Sequence, residues 1–279
     1  MQRISIIDVS KAGIAFLATN LRPILSRAII PVAGSWIVLY LSLSAYLDEL
    51  ENLLRTGNDH VAGLVLGAAT LGFLVFLLFH SILRTSLAAL ALGRETYTPW
   101  LSLQFARREW RLYSANLRGL VLNLPLVVAV EMAGNVLGAA FPQFALLWGA
   151  LSVVAILLGL VAIEAMFFLL APAVTILEKG QILRRSRRIS NAAFGKLSVV
   201  VVIMLIPGIL LENAGELVTR LAGYAQLNTT VSTLPEAVAA FRTILPELLA
   251  LLVVPYVVTV ALLTGAGMRA YRVLVSPKP

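Results

Sequence analysis

From Gly119 to Leu177 the chain runs for 59 residues with only two charged side chains, Glu131 and Glu164. A water-soluble fold does not carry a stretch of that kind, because helices at its surface need a polar face. In lipid the requirement reverses: a spanning helix needs about 20 consecutive apolar residues. The run is too long for one crossing. Phe141-Pro-Gln143 offers a place to turn, so it is expected to fold as a hairpin of two helices.

Four more uncharged stretches are present. Ala28–Leu47 ends at the acidic segment 48–51, and Val61–Leu83 holds only His80 as a titratable group. Leu197–Leu211 is the shortest, with Pro207-Gly208 near its end, and Leu248–Met268 contains Pro255 and is closed by Arg269. Composition agrees, with 59% hydrophobic and 13% charged residues where soluble domains have about 45–50% and about 25%. The first dozen residues include Asp8 and Lys11 and lack the apolar core of a signal peptide, so Ala28–Leu47 is expected to be a retained first helix.

The expected fold is therefore all-α: a single integral membrane domain over 1–279 with six transmembrane helices. If the N-terminus is inside, the inner segments hold 19 of the 22 Lys and Arg. Only Arg55, Arg220 and Arg242 lie outside, together with eight carboxylates: Asp48, Glu49, Glu51, Asp59, Glu212, Glu216, Glu236 and Glu247. Both termini are then cytoplasmic. The longest outer segment, 212–247, is expected to form a helix around Leu217, Leu221 and Ala222 on the membrane surface or capping the bundle.

The inner segments before the first, third and fifth spans resemble one another. Ungapped, Ile14, Trp110 and Arg187 coincide, then Phe16, Leu112 and Ile189, then Asn20, Asn116 and Ala193. Each segment has apolar residues at helical spacing with Arg or Lys on the other face, the pattern of an amphipathic helix in the headgroup layer. Three repeats are expected, each an elbow helix plus a helical hairpin, over roughly 8–83, 104–177 and 184–270. Arg107, Arg108, Arg111, Arg118, Arg184, Arg185, Arg187 and Arg188 are the candidate contacts to anionic headgroups on the cytoplasmic face. The same charges also serve as ordinary topology signals.

The stretch from Ala171 to Met204 resembles the YciC-like bacterial inner-membrane proteins. It is also similar to the membrane domain found in some glycerophosphoryl diester phosphodiesterases. Pro172, Glu178, Gly180, Arg185, Ser186 and Phe194 take the places of that pattern, and Trp110 in the second copy fits it too. Arg187 and Gly195 depart from it, standing where the family tends to have aromatic residues. The resemblance implies a six-helix protein of the bacterial cytoplasmic membrane, in envelope or lipid homeostasis or as a partner of a membrane complex. It implies no phosphodiesterase activity.

Ionisable residues at membrane depth are costly and ordinarily face protein or a water-filled path. Glu131 and Glu164 are the candidates here, as a cation or proton relay or as hydrogen-bonded glue, with Asn123 and Asn135 as possible partners. His80 is read first as a hydrogen-bonded interface residue. The chain lacks cysteine, and a P-loop, a nucleophile elbow and an HExxH helix are missing. The expectation is a non-enzymatic protein without a cofactor, a metal or a nucleic-acid partner. A channel or secondary transporter using the intramembrane Glu residues is the alternative.

Overall fold

The computed structural model describes residues 4–56, 62–93, 106–221 and 233–275. They form helices α1 (Ile6–Thr19), α2 (Leu21–Thr56), α3 (Ala62–Ala91), α4 (Arg107–Ala140) and α5 (Ala145–Ile163). A π turn, Glu164–Phe168, leads into α6 (Ala171–Leu177), α7 (Ile182–Ser190), α8 (Phe194–Leu221) and α9 (Leu234–Val275). Arg3, Asp59, Arg94, Ala222 and Lys278 lie outside the described residues.

Five helical segments are long and apolar enough to cross a membrane: Leu21–Arg55, Ala69–Ala91, Leu146–Leu177, Ile182–Gly215 and Leu234–Val275. In α4 the apolar stretch so recognised is shorter, Val127–Ala140. The hairpin turn falls where Phe141-Pro-Gln143 predicts it, in a 3-10 turn over Pro142–Phe144. Large apolar side chains stay exposed along the helices, among them Ile29, Leu71, Val136, Leu146 and Leu158. That pattern suits a surface solvated by hydrocarbon.

α9 is the axis of the bundle and packs against α1, α2, α3 and α8, while the α4–α5 hairpin joins mainly through α3 and the π turn. In lipid, helix association relies on close packing of small residues rather than on a hydrophobic drive. Gly267 shows this: a Cβ there would stand 2.1 Å from the Leu169 carbonyl oxygen, so only glycine lets α9 touch that backbone.

Two short helices precede long ones. α1 breaks at Asn20, whose side-chain amide donates to the Phe16 carbonyl at 3.0 Å. α7 passes through a 3-10 turn at Asn191–Ala193 before α8. The second elbow departs from expectation: α4 runs unbroken from Arg107. Asn116, aligned with Asn20, is buried and donates to the Ser81 hydroxyl at 2.8 Å, so its amide does not end its own helix. Exposure follows the aligned register. Ile14, Trp110 and Arg187 are exposed, whereas Phe16, Leu112 and Ile189 are buried.

In the segment 212–247 the expected helix around Leu217 and Leu221 is the continuation of a long one. α8 extends to Leu221 and α9 starts at Leu234, so both long helices continue into it.

Candidate functional sites

Three clusters of polar side chains can be built from the fold upward. The first lies on the inward face of α3, where Ser81, Arg84, Thr85 and Ser86 are buried. Thr85 returns its hydroxyl to the Ser81 carbonyl at 2.8 Å, the usual way a helix hides a threonine. Arg84, 4% exposed, donates from Nη2 to Glu164 Oε1 at 2.9 Å and to the Phe168 carbonyl at 3.2 Å. Both acceptors belong to the π turn, so one guanidinium closes the two ends of that irregular stretch. Arg84 Nε has no hydrogen-bond partner.

Glu164 is thus neither a lone carboxylate nor bound to Asn135, which is exposed on α4. Its partner is Arg84, read from sequence as a topology charge. Glu131 is exposed on α4, without a hydrogen bond or ion pair among the described residues. The structure therefore does not bring Glu131 and Glu164 together. The Asn123 side chain lies outside what the structure describes.

One turn before Arg84, His80 Nδ1 is hydrogen-bonded to the Tyr256 hydroxyl at 2.8 Å. Phe76 lies beside the His80 ring, and Trp36 and Phe76 both approach Tyr256. The interface reading of His80 fits this placement. Beyond Tyr256 opens an apolar groove of about 370 Å³ between α2, α8 and α9. Neither Glu131 nor Glu164 lines it.

The second cluster sits where α6 meets α7. Gly180 has φ +128, a conformation that disfavours any side chain, and the reversal there returns α7 toward Glu178. Arg185 Nε donates to Glu178 Oε2 at 2.6 Å, and the Tyr271 hydroxyl donates to Oε1 at 2.5 Å. Arg111 caps the end of α6, donating to the carbonyls of Thr175, Glu178 and Gly180 at 2.9–3.2 Å. Arg111 and Arg185, both read from sequence as headgroup contacts, are therefore also engaged by protein groups. Arg108 is likewise paired, with the buried Glu109 at 3.0 Å.

Burial pushes the Glu109 carboxyl above its ordinary value, against the opposing hydrogen bonds and charge of Arg108. Burial works the same way on Glu178. There the hydrogen bonds from Tyr271 and Arg185 and the Arg185 charge outweigh it and hold the carboxyl below its ordinary value. A depressed folded-state value stabilises the fold above the unfolded carboxylate pKa of about 4.3, and the contribution is lost as pH falls through the folded value. Thermal unfolding in detergent should therefore drop in midpoint below about pH 4. Glu178→Gln should lower the neutral-pH midpoint and flatten that acid limb; an unchanged limb would assign it to other carboxylates.

The third cluster is the outward face of α7. Ile182, Ser186 and Ile189 are buried at helical spacing, and Arg184, Arg187 and Arg188 are exposed opposite them. Arg107 and Arg118 are exposed on α4. Sequence reasoning missed Arg84, Asn116 and Tyr256. Among the described residues no three His, Asp or Glu side chains gather to hold a metal ion. No family model matches the chain, no curated protein matches it, and no solved structure matches its fold.

Proposed function

We propose that the chain is a non-enzymatic bacterial inner-membrane protein that acts on lipid or envelope organisation or serves a membrane complex as a partner. It has six crossings and both termini in the cytoplasm, in the manner of the YciC-like proteins. The observation that carries this reading is α7, which is packed on one face and bears exposed Arg184, Arg187 and Arg188 on the other. Such a helix at the start of a long apolar one suits the anionic headgroup layer.

Supporting the sixth crossing, the 34 residues of α4 reach about 50 Å at about 1.5 Å per residue. The threefold repeat is supported by the aligned exposure of Ile14, Trp110 and Arg187 and by breaks at Asn20 and at 191–193. Reporters at the two termini should both report cytoplasm; both outside would reject the orientation, and opposite sides would reject six crossings.

At about 1 kcal/mol per basic side chain near an anionic surface, converting Arg184, Arg187 and Arg188 to Gln should weaken phosphatidylglycerol retention roughly tenfold or more at low salt. Lipid carried through purification, counted by mass spectrometry, measures this. Equal retention would remove the role given to α7. Loss of the protein should alter membrane lipid composition or permeability, and an unchanged envelope under stress counts against the proposal.

A channel or transporter is the second reading, favoured by the pairing of buried Arg84 with half-buried Glu164 at a π turn, an irregularity often found at functional sites. Ion flux in vesicles that Glu164→Gln abolishes, with the fold retained, would favour it over the first.

A further inference from the structure

The groove beside Tyr256 is lined by Trp36 and Leu39 of α2, Ile209 and Glu212 of α8, and Leu252 and Tyr256 of α9, with Phe76 behind. Every one of these residues belongs to a helix long and apolar enough to span. Its surroundings are therefore acyl chains. Two polar groups on its wall are already engaged: Trp36 Nε1 donates to the Leu249 carbonyl at 2.5 Å, and the Tyr256 hydroxyl is bonded to His80, while Thr259 adds one hydroxyl to the lining. A wall otherwise made of Leu, Ile, Pro and aromatic side chains offers little to orient a polar solute. An unfilled concavity, in turn, forfeits the dispersion contacts of its lining.

Charge sits at one end only. Glu212 is exposed at the rim and has no basic partner among the described residues. Arg242 is occupied by Asp48 and Glu51, and Arg55 by Glu51 at 2.7 Å. The rim therefore favours a cationic group and repels an anionic one.

We infer that the groove holds one acyl chain of an aminophospholipid, with the ammonium of its headgroup at Glu212. Its volume lies within the ~300–1,000 Å³ range of small-molecule sites. The inference rests on the membrane-embedded part of the proposed function and goes beyond it, because it names a neutral lipid at a site separate from the arginines of α7.

The test is native mass spectrometry of the full chain, delipidated in detergent and titrated with phosphatidylethanolamine or phosphatidylglycerol of identical chains. Membrane embedding is checked first by resistance to alkaline carbonate extraction. The expected result is one tightly held phosphatidylethanolamine, preferred over phosphatidylglycerol. Leu252→Trp, which fills the groove, should lower its occupancy tenfold or more. Leu39→Trp fills the groove from the opposite wall and replaces the first variant if that one fails to fold. Glu212→Gln, on the exposed rim, should erase the headgroup preference while the chain is still bound.

A carbonate-resistant protein whose phosphatidylethanolamine occupancy is unchanged by either Trp variant overturns this inference alone. So does a wild-type protein that does not discriminate between headgroups. Carbonate extraction would overturn the proposed function, and this inference with it.

Discussion

Arg84→Met should leave the protein close to unfolding in mild detergent, with a loss of about 3–5 kcal/mol. That is the usual cost where both partners are buried and one is stranded; Glu164 is partly exposed, so the lower end is expected. Arg84 is 4% exposed, and its guanidinium is shared between Glu164 and the Phe168 carbonyl. The variant therefore strands a carboxylate and leaves the π turn unclosed. Glu164→Gln should cost less, since the neutral amide still accepts from Nη2 and the side chain is partly exposed.

Combining the two separates the contributions. If the pair acts as a unit, the double variant should be less destabilised than the sum of the singles. Thermal midpoints from the surviving monodisperse fraction give the comparison. Additive losses would mean that Arg84 stabilises through the Phe168 carbonyl and its packing, not through Glu164. The distinction bears on function, because a relay role for Glu164 requires a carboxylate able to leave Arg84.

Gly267→Ala is expected to be the second most damaging change, although it adds one methyl group. The new Cβ would meet the Leu169 carbonyl oxygen at 2.1 Å, and backbone cannot step aside as a side chain does. Overpacking of this kind typically costs about 1–3 kcal/mol, occasionally more. The expected outcome is an upper-end loss, with α9 displaced from the segment between the π turn and α6. Gly149→Ala is the control: it is exposed on α5 with open space around it. It should be neutral or slightly stabilising, since glycine weakens a helix interior by roughly 0.5–1 kcal/mol relative to alanine. A Gly267→Ala protein with wild-type stability would show that α9 and Leu169 are not in contact.

The helices were legible because length and charge spacing are local properties. The 59-residue run folds as a hairpin whose turn falls at Pro142, the residue that cannot continue a helix by hydrogen bonding. The burial of Phe16, Leu112 and Ile189 was legible too, since it depends on a short-range alternation of apolar and basic residues. Partnership was not. Arg84 and Glu164 are 80 positions apart, and an arginine at the end of an apolar run reads as a topology signal whether it faces headgroups or a carboxylate.

Asn116 shows the same limit in miniature. Its local sequence matches that of Asn20, which ends a helix by bonding its own backbone. Asn116 is instead held by Ser81 on another helix, and nothing within its segment encodes that serine. The arginines of these segments divide likewise: Arg111 and Arg185 turn to carbonyls and to Glu178, Arg187 lies over the Phe167 ring, and Arg184 and Arg188 face outward. Only the fold separates those fates.

The position of α9 has a consequence for biogenesis. It touches α1, α2, α3 and α8, yet it emerges from the ribosome after all of them. Until it arrives, α1 and α8 lack their main partner, and the faces of Gly13 and Phe16 that meet Leu262 and Gly265 stand open. A nascent chain arrested before Leu234 would be held together mainly by the helical hairpins and the α3–α4 packing, with α1 and α8 poorly anchored. Its fate would then be set by how soon quality-control proteases reach it.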